Sequence, residues 1–132
     1  MESWYLRCLV RYLPTHLVGW AVAAALASPF IDPSSTDSVT YLPFWESYAK
    51  HLCSARVGAP VVAGVSLVLL LLLGAGRTRG SVLGFRAMAA GLLQLPLLPF
   101  ALAGGGDLVG TLMLSQLAFA ILIMPKPQLT AP

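Results

Sequence analysis

The sequence predicts an all-α membrane protein with four transmembrane helices, and three observations support this fold class. Hydrophobic residues make up 58% of the 132 residues and charged residues only 10%, against roughly 45–50% and about 25% in an ordinary soluble domain. The segment 57–76 contains no charged residue and is flanked by Arg56 and Arg77. The other basic residues stand singly or in pairs between apolar stretches, which is typical of topology determinants and argues against nucleic-acid binding.

The second predicted span, 57–76, is the clearest element. Its second half, 67–73, is apolar on every face. The helix is therefore not amphipathic and has no polar face to turn toward water. Twenty helical residues extend about 30 Å, the thickness of a bilayer's hydrocarbon core. We therefore expect lipid to surround this helix.

The first span is predicted over about 12–31. A secretory signal peptide is the alternative, but the apolar run is long and no clear small-x-small cleavage site ends it. Trp4 and Tyr5 precede the run together with two arginines, and these residue types settle at the headgroup level. We expect Trp4 and Tyr5 to be interface anchors.

The segment 32–56 is the longest polar connection, and its second part predicts a short interfacial helix over about 42–53. Apolar residues recur at spacings of three and four at Leu42, Trp45, Ala49 and Leu52. Trp45 and Tyr48 belong to an aromatic cluster in the same stretch. We expect these two side chains to anchor the helix in the interface.

The third span is predicted over about 81–103, after a tight connection. Arg86 lies close enough to its start for the side chain to snorkel out to the interface, as a further anchor. Pro96 and Pro99 each lack an N–H group, so we expect them to bend the far half of this helix.

The fourth span is predicted over about 108–124, and the proline-containing tail 125–132 cannot continue it. In this topology six basic residues share a side with both termini: Arg7, Arg11, Arg77, Arg79, Arg86 and Lys126. Two basic residues lie on the opposite side: Lys50 and Arg56. The positive-inside rule then places the termini in the cytosol, or in the matrix of a mitochondrion.

Two glutamines, Gln94 and Gln116, fall near mid-depth on consecutive spans. A hydrogen bond between them would contribute about 0.6–2 kcal/mol in lipid. The alternative is that they line a polar cavity for a substrate or a quinone headgroup. We favour the structural pairing.

Small residues stand at spacings that permit close helix packing. The pairs are Gly19 with Ala23 and Ala87 with Gly91, and the second span contains Gly58, Ala59, Ala63 and Gly64. We expect Gly58, Gly64 and Gly91 to contact other helices, either within this chain or in partner subunits.

The sequence contains no pattern that indicates catalysis or a bound cofactor. His16 and His51 are the two histidines, and no HxxxH, HExxH or CxxC spacing suggests a metal site. Phosphate loops and GxSxG motifs are also missing. We expect neither an enzyme nor a cofactor. The two cysteines, Cys8 and Cys53, fall on opposite sides of the membrane and should be unpaired, while Cys8 lies where acylation is possible.

The order of spans and several residues carry a resemblance to known families. These residues are Arg11-Tyr12-Leu13, His16-Leu17-Val18, Asp37-Ser38, Leu42-Pro43, Tyr48 and Ser81. With four spans and one longer first loop, the chain resembles the transmembrane protein 107 family of the ciliary transition zone, and its architecture is also similar to DoxX-like four-helix proteins. It departs from the first family in having no glutamate in the second span and Met88 rather than an early histidine in the third.

These observations predict a non-catalytic accessory or scaffold subunit of a larger membrane complex, whose partners are the lipid bilayer and other membrane subunits. One alternative is a lipid- or quinone-binding carrier that uses the interior around Gln94 and Gln116. Another, which the first resemblance implies, is a membrane component of the ciliary transition zone. The plasma, ciliary, endoplasmic reticulum and mitochondrial inner membranes all fit this topology.

Overall fold

The computed structural model describes residues 2–27, 43–103 and 106–130, and these residues are mainly helical. Within them, the α-helices are α1 (Glu2–Ala27), α2 (Phe44–Gly76), α3 (Val82–Gln94), α4 (Leu98–Leu102) and α5 (Gly106–Ala118). A 3-10 turn, Leu95–Leu97, joins α3 to α4, and a π-helical turn, Phe119–Ile123, continues α5. The described residues form no strand, apart from one isolated β-bridge between Arg79 and Thr130.

Four helical stretches are long and apolar enough to cross a membrane. They are Trp4–Ala27, Phe44–Gly76, Val82–Leu102 and Gly106–Ile123. The predicted all-helical fold with four such helices is therefore confirmed.

The four stretches pack as a ring in which each helix contacts two neighbours. The helix α1 packs on α2 and α5, and α3 packs on the same two helices. Side chains at the centre join the diagonal pairs: Trp4 of α1 meets Phe85 of α3 edge-on at 5.6 Å between ring centroids. Gln116 of α5 donates a hydrogen bond to Ser66 of α2. The centre of the bundle is thus filled by side chains from all four stretches.

The first helix begins ten residues before the predicted start at Tyr12. Trp4, Cys8 and Tyr12 are spaced by four residues and are 4%, 3% and 0% exposed, so the segment before the apolar run has its own buried face. This face consists of two aromatic residues and a cysteine rather than aliphatic residues, so a search for aliphatic runs does not detect it. The predicted continuation to Ile31 lies outside the described residues.

The second helix is continuous from Phe44 to Gly76. The separate interfacial helix predicted over 42–53 and the span predicted over 57–76 are therefore parts of one helix, with Leu42 outside the described residues. No glycine or proline stands between Leu52 and Val57, so nothing in the backbone stops helix propagation there. A helix of 33 residues is about 50 Å long, well beyond a hydrocarbon core of about 30 Å.

The third stretch follows its prediction closely. Ser81 caps the N-terminus of α3, and its Oγ accepts a hydrogen bond from the N–H of Gly84 at 3.0 Å. The helix loses α-helical regularity at the 3-10 turn that contains Pro96, and Pro99 lies at the start of α4. The sequence predicted a bend here, and what the structure shows is this change of helix type.

The core divides into two hydrophobic clusters along the bundle. The first contains Trp4, Cys8, Tyr12, Ala63, Leu70, Leu73, Phe85, Ala89, Ala90, Leu93, Phe119, Ala120 and Met124. The second contains Trp20, Ala23, Ala55, Val62, Leu97, Val109 and Leu112. Since Tyr12 belongs to the first cluster and Trp20 to the second, the polar residue between them on α1, His16, lies at their boundary.

The tail after residue 124 folds back over the end of the bundle that carries the start of α1. Thr130 donates its N–H to Thr78 O at 3.0 Å, and Gly80 donates its N–H to Thr130 O at 3.1 Å. These bonds pair the tail with the connection between α2 and α3. As predicted, the tail ends the last helix.

Candidate functional site: a polar cluster between three helices

One face of α1 presents three polar or aromatic side chains to the bundle centre. Tyr12, His16 and Trp20 are four residues apart, so they lie above one another on the same face of the helix. They are 0%, 6% and 9% exposed. The imidazole of His16 stacks on Tyr12 at a centroid distance of 5.3 Å and meets Trp20 edge-on at 6.1 Å.

Gln116 of α5 links this face to α2. Its Nε2 donates to the Tyr12 hydroxyl at 3.0 Å and to Ser66 Oγ at 3.1 Å. Gln116 and Ser66 are 3% and 0% exposed. One amide group therefore joins three helices, using both of its N–H donors.

His16 has three polar neighbours, one on Nδ1 and two on Nε2. Its Nδ1 lies 3.3 Å from the Tyr12 hydroxyl, and its Nε2 lies 3.0 Å from Trp20 Nε1 and 2.9 Å from Ala59 O. The indole N–H can only donate, so it requires a bare Nε2. Ala59 O, a carbonyl oxygen, can only accept. Nε2 therefore lies between one donor and one acceptor, while Nδ1 faces the Tyr12 hydroxyl, which can act as either.

The hydrogen bonds of the cluster fix the relative positions of the helices. Tyr12, His16, Trp20, Ser66 and Gln116 each have a hydrogen-bond partner within the cluster, and each is 9% exposed or less. Buried polar groups that satisfy one another hold a single packing arrangement, since any slip between helices leaves a donor or an acceptor unpaired. The arrangement thus specifies how α1, α2 and α5 align.

The other glutamine, Gln94, lies outside this cluster. Its Nε2 donates to Met113 O on α5 at 3.2 Å, while its Oε1 is buried without a hydrogen-bond partner. Within the described residues, Gln94 and Gln116 have separate partners and no hydrogen bond joins them. The predicted direct pairing is wrong because the two amides face different neighbours: Gln116 reaches α1 and α2, whereas Gln94 reaches only the backbone of α5.

A second polar group caps the end of the last helix. Ile121 lies in the π-helical turn at the end of this helix, and Arg86 Nη1 donates to its carbonyl oxygen at 2.9 Å. Arg11 Nη1 donates to Ile123 O at 3.0 Å, and Trp4 Nε1 donates to Pro125 O at 3.1 Å. Side chains from α1 and α3 thus satisfy carbonyls that a helix end leaves open.

The residues predicted as interface anchors have different environments. Trp4 is in the core, and Arg86 is bonded to the last helix rather than extended freely toward an interface. Tyr5 is half-buried beside Trp4, at 5.0 Å between ring centroids. Trp45 is 74% exposed at the start of α2, and Tyr48 is half-buried and meets it edge-on at 6.3 Å.

The three glycines predicted to pack against helices also differ. A Cβ at Gly58 would lie 3.5 Å from the Trp20 ring, so this residue does contact α1. Gly64 and Gly91 have no atom within 4 Å of such a Cβ among the described residues, and both face outward. Gly19 does face another helix, because the Ser115 side chain of α5 occupies the space that a larger residue would need.

The cysteine and histidine side chains are not grouped into one site. Cys8 and Cys53 are both free thiols in the structure, with Cys8 buried and Cys53 exposed. His51 Nδ1 lies 2.8 Å from Ser47 O in its own helix. Among residues 2–27, 43–103 and 106–130, no three His, Cys, Asp or Glu side chains are grouped so that they could hold a metal ion.

Sequence reasoning identified Gln116 but missed its partners. The spacing of Tyr12, His16 and Trp20 was a readable signal, because three hydrogen-bonding rings at intervals of four share one helix face. Ser66 was the one polar side chain in an otherwise apolar span, which is itself a sign of a buried partner. The pairing across three helices could not be read, since it depends on the ring order of the bundle.

Comparisons with known proteins identify no relative: the chain matches no protein-family description, no curated protein and no solved structure.

Proposed function

We propose that the chain is an integral membrane protein that serves as a non-catalytic subunit of a larger membrane complex. Large apolar side chains on its outer surface support membrane insertion. Val68, Leu72, Leu114 and Leu122 are 54%, 63%, 67% and 79% exposed. Such a surface is unfavourable in water and suits lipid or partner helices.

Charge supports one orientation in the membrane. Hydrogen bonds bring together the start of α1, the 77–81 connection and the tail, so Arg7, Arg79 and Lys126 belong to one end of the bundle. Lys50 and Arg56 belong to the first part of α2, at the other end. We infer that the end with more basic residues faces the cytosol or the matrix.

Cysteine labelling tests this orientation. Cys53 is exposed and Cys8 is 3% exposed, so a membrane-impermeant maleimide should react with Cys53 alone in the intact chain. Labelling in sealed vesicles is expected from the extracellular, lumenal or intermembrane side. Cys53→Ser serves as the control, and labelling of Cys53 from the cytosolic or matrix side would reverse the orientation.

The observation that carries the subunit proposal is an open apolar groove on α2. Pro60, Val61, Gly64, Val65 and Val68 line it, and its volume is about 420 Å³. Gly64 leaves space that no described residue of this chain fills. Small residues flanked by branched ones let another helix approach closely in lipid, so the occupant we propose is a transmembrane helix of a partner subunit.

The interior supports the same proposal. Tyr12, His16, Ser66 and Gln116 form hydrogen bonds with one another, which is the use expected of polar groups that hold a bundle together. A stable bundle with an outward-facing groove is suited to a scaffold role.

Filling the groove tests the subunit role. Gly64→Leu should overpack the contact at a cost of about 1–3 kcal/mol, which weakens the association about fivefold or more and so lowers the amount of copurified complex. Gly110→Leu is the matched control, because Gly110 is also helical and has open space around it. Both variants should fold, since leucine is the better helix former. An intact complex with Gly64→Leu, or a wild-type chain that purifies from mild detergent as a monodisperse monomer, would contradict the proposal.

A second candidate function is binding of a lipid or quinone headgroup in the interior. The observation in its favour is Gln94 Oε1, a buried acceptor without a partner, which a ligand donor could satisfy. Mass spectrometry of the purified chain would detect a bound lipid, sterol or quinone. Loss of that molecule in Gln94→Leu, with unchanged stability, is the result this candidate requires.

A further inference from the structure

One face of α1 is cationic at its start and apolar further along. Arg7, Arg11, Thr15, Val18 and Val22 are spaced by four, four, three and four residues, so they follow a single line along the helix. The two arginines are exposed, Thr15 is half-buried, and Val18 and Val22 are 62% and 46% exposed. This is the pattern of a surface that meets both a headgroup layer and a hydrocarbon layer.

The apolar part of this face is one wall of a groove. The groove runs between α1 and α5, has a volume of about 510 Å³, and takes Val18 and Val22 from one helix and Leu114 and Ala118 from the other. Gly19 also lines the groove, and the Ser115 side chain of α5 packs directly against it.

The cationic part of the face belongs to a second cavity, of about 570 Å³, which Arg7 and Lys126 line together with the tail. Arg11 lies one helical turn after Arg7, and its side chain donates to the O of Ile123, which lines the apolar groove. Neither cavity has an Asp or a Glu among its described lining residues. A basic cavity therefore opens beside an apolar groove, without acidic side chains in either lining.

The dimensions match one leaflet of a bilayer. From Arg11 to Val22 the helix rises about 16 Å, which is half of a hydrocarbon core of about 30 Å. A lipid acyl chain that starts at the arginines would follow the groove to mid-membrane.

We propose that the two cavities together bind one anionic phospholipid. Its phosphate is held by Arg7, Arg11 and Lys126, and one acyl chain lies between Val18 and Leu114. Basic side chains at the cytosolic or matrix end of membrane helices attract anionic headgroups, and apolar walls retain the chain by contact. This inference rests on the membrane insertion proposed above.

Native mass spectrometry of the full chain tests the site, by titration with phosphatidylglycerol and with phosphatidylcholine of identical acyl chains. The wild-type chain should bind phosphatidylglycerol at least tenfold more tightly. Each lost basic residue should weaken that binding about fivefold, so we expect a loss on the order of thirtyfold for the double variant Arg7→Gln with Lys126→Gln. Arg11 is left unchanged because it also caps the last helix.

The control is the double variant Lys50→Gln with Arg56→Gln, which removes the same charge at the other end of the bundle and should leave binding unchanged. Val18→Phe narrows the groove and should weaken both lipids equally. Equal affinity of the wild-type chain for the two lipids, an equal loss in the control, or crosslinking of Val18→Cys to a second protein chain instead of lipid would overturn the site.

Membrane insertion is tested separately, by carbonate extraction from phosphatidylcholine vesicles. A chain that resists extraction but shows no lipid preference overturns the lipid site alone. A chain that carbonate releases overturns the insertion on which both proposals rest.

Discussion

The surroundings of Gln116 and Gln94 differ far more than their sequence positions suggest. Both residues lie inside apolar spans on neighbouring helices. Gln116 is 3% exposed and donates to two side chains on two other helices, whereas Gln94 donates to one backbone oxygen and leaves its own oxygen unpaired. A polar residue in a span can therefore organise a bundle or merely be accommodated by it, and its number of side-chain partners separates the two cases.

The largest effect is expected where the cluster has most partners. His16→Ala removes the acceptor of Trp20 and the neighbour of Tyr12, and leaves a cavity between the two core clusters. Loss of a buried ring together with an unpaired donor should lower the free energy of unfolding by about 3 kcal/mol. Unfolding in detergent by increasing SDS, followed by circular dichroism, measures this change.

The matched control for that prediction is His51→Ala. His51 is half-buried and interacts with the backbone of its own helix, so its removal should change stability by less than about 0.5 kcal/mol, as for an ordinary surface substitution. The contacts of His16 indicate that it stabilises the bundle. Equal effects of the two substitutions on the free energy of unfolding would contradict this.

An intermediate effect is expected for Gln116→Leu. The substitution removes two interhelical hydrogen bonds, but Tyr12 keeps His16, and Ser66 can turn to a carbonyl one turn earlier in α2. Interhelical bonds in lipid contribute about 0.6–2 kcal/mol each, so the free energy of unfolding should fall by about 1–2 kcal/mol. A double-mutant cycle with Ser66→Ala isolates the bond between these two helices, and a coupling energy of zero would contradict the diagonal link.

The sequence predicted the elements of this fold better than their ends and partners. The segment 57–76 was recognisable because an apolar stretch of twenty residues without a charge is typical of a membrane-spanning helix. The start of α1 was not recognisable in the same way. Trp4, Cys8 and Tyr12 form its buried face, and aromatic residues are also common at membrane–water interfaces. The continuity of α2 depends on the absence of a stop signal near Leu52, which is weaker information than a glycine or a proline.

The candidate site shows the same limit at the level of single residues. That Gln116 is buried and bonded follows from the cost of leaving an amide unpaired in an apolar interior. Which helix supplies the partner follows from the order of helices around the bundle, and single-chain periodicity does not contain that order. The capping of Ile121 O by Arg86 belongs to the same class, since it joins residues 35 positions apart.

The smallest effect is expected for Gln94→Leu, and it separates the two glutamines most sharply. The substitution loses one hydrogen bond to Met113 O, worth about 0.6 kcal/mol in lipid, and that oxygen keeps its donor within the helix. It also removes a buried acceptor without a partner, a group whose burial costs about 1–3 kcal/mol when nothing satisfies it. The free energy of unfolding should therefore stay within about 0.5 kcal/mol of wild type or rise slightly, in the same SDS titration. A loss as large as that of Gln116→Leu would mean that Gln94 Oε1 has a partner that the chain itself does not supply, and would favour an interior ligand.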